Sequence, residues 1–282
     1  MNKNIGIITD STSDLSQEML QAFNIEFLPL KIMYKDEQYL DKVNISPDDI
    51  YKRFDKEIPT TSMPGPDEFK EKFKKLKEKG FTNIIAIHIS SGLSSTPNIC
   101  RMVSKEMEDM TIEVIDSRLL SMGLGRLVLY AKGLIDQGNL DFEEIVNKTR
   151  EKIDDIELNF IVKTLKYLKE GGRIGKVKGI IGQLLNIKPI ISIDDEGQYY
   201  TVDKTRGRKN SLNKLYDKAK KKIKQGMSYV DVMHADAEEE AKELQNRLQK
   251  LQNVKDSILG EISPAMVVHA GPGLIGVVVT PV

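Results

Sequence analysis

Strand-like and helix-like stretches alternate along the first half of the chain, and this rhythm constrains the fold more than any other feature. A short apolar run over 5–9 ends in Asp10-Ser11-Thr12-Ser13-Asp14. Short side-chain oxygens of that kind end a strand and cap the next helix by satisfying free backbone N–H groups. Ser46-Pro47-Asp48-Asp49 is a second start signal, with a capping hydroxyl, a proline in the first turn and acids near the positive end of the helix dipole. The pattern predicts helices over 66–79, 94–108 and 120–137, with Gly80 and Gly138 as stops, and strands over 83–89 and 111–115. Such alternation favours a parallel sheet covered by helices.

The second half has another rhythm. Strand-like runs over 188–193 and 198–204 flank Asp194-Asp195-Glu196-Gly197 and predict a hairpin. A lysine-rich helix over 208–225, a strand over 229–233, a helix over 236–252 and a last strand over 276–280 complete an α+β pattern. The expected division is an N-terminal α/β domain over 1–157 and a C-terminal α+β domain over 158–282. The lysine runs over 70–79 and 214–224 read as solvated helix faces.

Lys+Arg and Asp+Glu both number 42 in the 282 residues, so the formal net charge is zero. That balance argues against a protein whose main task is gripping nucleic acid. One cysteine, Cys100, makes neither an internal disulfide nor a multi-cysteine metal site. The start of the chain lacks the pattern of a signal peptide, and no stretch reaches the ~18 apolar residues of a membrane span. These features place the chain in a reducing cytoplasm without a membrane anchor.

Two motifs resemble catalytic ones. Gly271-Pro272-Gly273-Leu274-Ile275-Gly276 matches G-x-G-x-x-G, but a β-branched strand follows it where a dinucleotide site needs a helix. It reads as a glycine turn that brings backbone close to a neighbour. Gly92-Leu93-Ser94-Ser95-Thr96 resembles a nucleophile elbow, with Thr96 in place of the last glycine. A serine nucleophile also needs a base in reach. Of the three histidines, His88 reads as a core residue of a strand and His234 as structural, whereas His269, just before the glycine turn, leans to function. A metal site is not indicated, and no cofactor is expected.

Two loops share an unusual composition. Thr60-Thr61-Ser62-Met63-Pro64-Gly65-Pro66 and Ser90-Ser91-Gly92-Leu93-Ser94-Ser95-Thr96 each bring hydroxyls and free N–H groups to a helix start. Such starts attract anions through unpaired amides and the helix dipole. Converging at the C-terminal edge of a sheet, the loops make a small anion pocket. Left apart, they are well-capped helix starts, and composition does not choose between the two.

Taken together, these segments resemble the DegV family of bacterial fatty-acid-binding proteins. The likeness runs in order through Asp10–Leu15, Thr61–Pro64, Ser90–Ser94, Asp116-Ser117-Arg118 with Ser121–Gly125, Gly171–Ile174, 184–190 and His269–Gly273. It implies two domains with a long-chain, palmitate-like fatty acid buried between them. Its carboxylate would be held by Thr61 and Ser94, with Ser62 and Ser91 as neighbours able to share the role. His269 and Arg173 match family motifs near the head group. The family further implies no catalysis by this chain and a partner, an ATP-dependent fatty acid kinase that phosphorylates the bound carboxylate; some members are known only as lipid carriers. The alternatives are a serine hydrolase using Ser94 and a regulatory module that binds a small anion. Met63, Gly65, Ser95 and Pro97 depart from the family pattern, which leaves Thr61 and Ser94 in place. The apolar stretch over 180–191 supplies candidates for a tunnel wall, each with core filling as its default.

Overall fold

A computed structural model gives the fold and describes residues 4–180 and 187–282, the side chain at 180 excepted. The first part runs β1 (Ile5–Asp10), α1 (Gln17–Ala22), β2 (Ile25–Leu28), β3 (Lys31–Met33), β4 (Gln38–Leu40), α2 (Pro47–Arg53), β5 (Thr60–Ser62) and α3 (Pro66–Glu78). It continues through β6 (Asn83–His88), α4 (Thr96–Ser104), β7 (Thr111–Asp116), α5 (Ser121–Gln137) and α6 (Phe142–Lys152). Strands β2, β1, β6 and β7 form, in that order, the parallel sheet the alternation predicts.

Every residue of β1 is buried, because helices cover both faces of its sheet. Alternate side chains point to opposite faces. Ile7, Ile85 and Ile87 therefore join one core, while Ile8, Ile84 and Ala86 join another beneath Phe69 and Phe73 of α3.

Two helix starts fall later than the sequence suggests. Asp10 caps only a short 3-10 turn over Ser11–Ser13, and Asp14 leaves it at φ 55°, so the helix waits for Ser16 as a second cap. Likewise α4 begins at Thr96 rather than 94, because Ser94 and Ser95 are spent in the turn before it. At Ser46 the expected start is found, with Ser46 and Asp49 forming a reciprocal capping box.

The second part runs β8 (Glu157–Ile161), α7 (Lys166–Glu170), β9 (Ile187–Ile193), β10 (Tyr199–Arg206), α8 (Arg208–Ile223), β11 (Ser228–Ala235) and α9 (Glu238–Gln249). It ends in β12 (Val254–Asp256), β13 (Leu259–Glu261), α10 (Pro264–Ala270) and β14 (Leu274–Pro281). These strands make a mixed sheet in the order β10-β9-β8-β14-β11-β12, with β13 also paired to β11. The expected hairpin is β9–β10, joined through Gly197 at φ 74°. On β14, Ile275, Val277 and Val279 face the core under α8 and α9, and Leu274 and Val278 face the first part of the chain.

Helix α5 lies between the sheets, against β1 and β6 on one side and β11 and β14 on the other. That position explains why it is apolar nearly all round. Its one buried cation, Arg126, makes paired hydrogen bonds of 2.7 and 2.6 Å to Asp231 of β11. A third, small antiparallel sheet, β4-β3-β5, sits beside them and pairs Thr61 with Ile32. Three-residue strands are too short to show a period, and sequence reasoning did not find them.

Candidate ligand-binding site

A cavity of about 360 Å³ lies between the two parts of the chain. Its floor is the mixed sheet, where Leu158 and Phe160 of β8, Leu274 and Val278 of β14 and Met233 of β11 line it. Leu30, Ile89, Leu120, Ile262 and Met266 close its other sides. Against this apolar majority stands a polar group made of Thr61, Ser62, Ser94, Arg173 and His269.

Strand β5 holds Thr61 in place through its pairing with β3, and Thr61 Oγ1 lies 2.7 Å from His269 Nε2. Burial and the adjacent Arg173 charge push the His269 imidazole down to about 3, so it is neutral at physiological pH. Among the described residues its Nδ1 has no hydrogen-bond partner. Gly171 abuts that nitrogen so closely that a Cβ there would come within 2.2 Å of it. Helix α10, which carries His269, is held at its start by the first part of the chain: Asp41 Oδ1 accepts the Ala265 N–H at 3.0 Å.

Ser94 sits in the turn before α4, where its Oγ lies 2.8 Å from Thr96 Oγ1 and accepts the Thr96 N–H at 3.3 Å. Those bonds bear on the elbow-like motif, since among the described residues no imidazole is hydrogen-bonded to Ser94. The glycine of that motif has a packing role. A Cβ on Gly92 would lie 2.5 Å from the Gly197 carbonyl oxygen, and Ser90 Oγ donates to the same carbonyl at 2.7 Å. The β9–β10 hairpin thus docks on the loop that presents Ser94.

Arg173 donates from Nε to the Leu93 carbonyl at 3.1 Å and from a terminal nitrogen to the Gly171 carbonyl at 2.7 Å. It bridges the Ser94 loop and the turn against His269. Among the described residues no carboxylate pairs with it, so its charge faces the cavity uncompensated.

One expected contact is absent. Ser91 is exposed and does not line the cavity; its N–H donates to Asp116 Oδ1 at 3.0 Å, which turns it to the outside of the loop. The stretch over 180–191 also reads differently. Ile190 and Ile191 fill cores, Ile187 does not line the cavity, and Ile181, Leu184 and Leu185 lie outside the described residues.

Sequence reasoning missed Thr12, Ser121 and Tyr199 as cavity residues. Thr12 and Ser121 lie within segments it singled out, and each donates its hydroxyl proton to an aspartate: Thr12 to Asp10, and Ser121 to Asp14 at 2.6 Å. Their lone pairs, not their protons, remain for a ligand. Asp10 also accepts from His88 Nδ1 at 3.1 Å, and His88, fully buried edge-on to Phe69, is the core residue expected. The glycine turn likewise brings backbone close to a neighbour, since at Gly271 (φ 70°) a Cβ would meet the Tyr167 ring. Among the described residues no cluster of His, Cys, Asp and Glu could hold a metal ion, and no helix is long and apolar enough to cross a membrane.

Fold and cavity define the class: an α/β protein of two main sheets enclosing an apolar chamber with a cationic, hydroxyl-bearing end. The model of the DegV family, described as uncharacterised proteins, matches residues 4–282, and the chain belongs to that family. A DegV domain-containing protein of Clostridium acetobutylicum is 45% identical over 275 residues, which is 97% of this chain and 98% of the relative. Among solved structures, a fatty-acid-binding DegV family protein from Thermus thermophilus has a TM-score of 0.93 at 26% identity, covering 99% of this chain and 100% of that one. DegV of Bacillus subtilis, a fatty acid binding protein, scores 0.91 at 28% identity over 99% of both chains. A stearic acid-binding protein from Eubacterium ventriosum scores 0.88 at 28% identity over 98% of both. The expected architecture, a parallel-sheet α/β part followed by a mixed-sheet part, is the one these proteins share.

Proposed function

We propose that the chain binds a long-chain, palmitate-like fatty acid by its carboxylate and presents it to lipid metabolism, with a fatty acid kinase as the recipient and no chemistry of its own. One observation carries this reading: a half-buried Arg173, with no carboxylate partner among the described residues, shares a largely apolar cavity with Thr61, Ser94 and His269. A guanidinium in such a place lowers its free energy by taking an anion. The apolar walls ask for a ligand that is hydrocarbon elsewhere. Burying a chain of palmitate length supplies on the order of 10 kcal/mol before costs, at ~0.8 kcal/mol per CH₂.

Protonation supports the same assignment. An unpartnered lone pair is cheaper to bury than an unpartnered N–H, so the neutral His269 carries its proton on Nε2. It then donates to Thr61 Oγ1, which frees the Thr61 hydroxyl proton for a carboxylate oxygen. Ser94 reaches the other oxygen, with Ser62 at the rim. The fatty-acid-binding neighbours of the same fold favour this ligand over a sugar or a free phosphate. We take residues 1–157 as the domain that supplies the hydroxyls and 158–282 as the domain that covers the acyl chain. The single buried thiol, Cys100, suits a cytoplasmic location.

Native mass spectrometry of the purified protein tests the proposal. A fatty acid mass should accompany the folded chain and be lost on denaturation. Repeated absence of any acyl ligand, with no uptake of added palmitate, would reject it.

A further inference from the structure

Three cross-strand neighbours form one row on the cavity floor: Met233 of β11, Gly276 of β14 and Phe160 of β8. All three line the cavity. Along β14 the lining positions are Leu274, Gly276 and Val278, so a residue without a side chain lies between two branched ones and between two long ones. The floor has a notch there.

Among the described residues nothing requires glycine at this point. Gly276 is not among the residues with positive φ, so its backbone is open to any L residue. A Cβ built on it would meet Phe160 Cβ at 3.4 Å, the Asn159 carbonyl oxygen at 3.8 Å and Leu274 Cδ2 at 4.0 Å, all ordinary contacts. Gly92 is the contrast, because its Cβ would collide with fixed backbone. Glycine in a strand interior is destabilising, since it gives up conformational freedom and packs nothing. Here the strand bears that cost at its buried centre, and the space it leaves open belongs to the cavity.

We propose that Gly276 sets the length of acyl chain this protein accepts, by leaving a notch in the sheet through which the hydrocarbon passes beyond the head-group end. The inference rests on the fatty-acid reading above. Leu274, Gly276 and Val278 step away from the His269 turn by ~6.6 Å per lining position. A side chain at 276 therefore obstructs a ligand that extends past the middle of this row and spares one that stops short of it. The occupant is a flexible, saturated or singly kinked chain, because the notch is bounded by Met233 and Phe160 rather than by polar groups.

The test compares wild type with Gly276→Ala and Gly276→Val for binding of laurate, palmitate and stearate to delipidated protein. The expected result is graded: Gly276→Val weakens stearate about tenfold or more while laurate changes less than about threefold, and Gly276→Ala falls between. Thermal unfolding of both ligand-free variants should be no lower than wild type, because replacing glycine reduces the conformational freedom lost on folding. Equal affinities across the series in variants and wild type alike would overturn the notch, as would an equal loss for all three lengths. Failure of wild type to bind any of the three would instead overturn the fatty-acid reading. Should Gly276→Val not fold, Gly276→Ala with the same ligands decides the matter by itself.

Discussion

Asp14 Oδ1 accepts the backbone N–H of Ser263 at 2.9 Å, although the two residues stand 249 positions apart. A partly buried carboxylate of the first loop thereby holds the entry to α10, and α10 carries His269 to the cavity. Burial pushes Asp14 from the ordinary 3.8 up to about 7, against the lowering effect of Lys42 and the hydrogen bonds from Ser121 and Ser263. Asp41, which accepts the Ala265 N–H in the first turn of the same helix, is pushed up to about 6 for the same reason.

The sign of the resulting pH dependence follows by linkage. A carboxyl group raised in the folded state binds protons that the unfolded chain releases, so its stabilising contribution is complete below the unfolded value and is lost as pH rises through the folded one. For Asp14 the window runs from 3.8 to about 7. Asn is a fair copy of the protonated form. Asp14→Asn is expected to match wild type near about pH 3, below the start of that window, and to become the more stable of the two by about pH 8. Urea unfolding at both pH values reads the difference; the same stability gap at each would reject the raised carboxyl.

Removing both hydroxyls, Thr61→Ala with Ser94→Ala, is expected to weaken fatty acid binding by at least about tenfold, because two donors to a buried carboxylate are lost. Displacement titration with palmitate measures it. Ser91→Ala in the same assay should leave affinity unchanged, given its place outside the cavity. An affinity untouched by the double substitution would remove these residues from the site.

Arg173 acts on His269 as well as lining the cavity. Burial is the larger cause of the low value at His269 and the Arg173 charge the second. Arg173→Gln is thus expected to move the His269 titration upward while leaving it below the ordinary histidine value, and to weaken binding of anionic but not of uncharged long-chain lipids. NMR titration of the imidazole in ligand-free protein checks the first part. A His269 titration that stays in place would show that the two groups do not sense one another.

Gly92→Ala should destabilise the fold by about 1–3 kcal/mol, since the new methyl group overlaps the Gly197 backbone and must push the hairpin away. Denaturant unfolding, with Gly276→Ala as the harmless comparison, measures the cost. Equal stabilities would mean that the hairpin does not press on this loop.

Patterns within about twenty residues were open to reading in the chain. The parallel sheet is visible as apolar runs between helix signals, and the hairpin as two runs around Gly197, because alternation and turn chemistry are local properties. The candidate hydroxyls of Thr61 and Ser94 also stand out locally, as loops rich in small polar residues before a helix. Other features have no local signature. The three-residue strands that position Thr61 carry no period. Thr12 and Ser121 look like caps until their aspartate partners are located, and Ser91 looks like its neighbour Ser94 until Asp116 is seen to turn it away.

By itself the sequence determined the order and kind of the main elements, and which residue types were at hand to meet an anion, since both depend on near neighbours along the chain. Only the tertiary structure decided which hydroxyl faces the cavity, that His269 is neutral, that Arg173 lacks a counter-ion among the described residues, and that Gly276 leaves a gap in the floor. Each of these depends on burial and on contacts between segments that lie tens to hundreds of residues apart, where solvation and charge are set by packing and no spacing along the chain reports them.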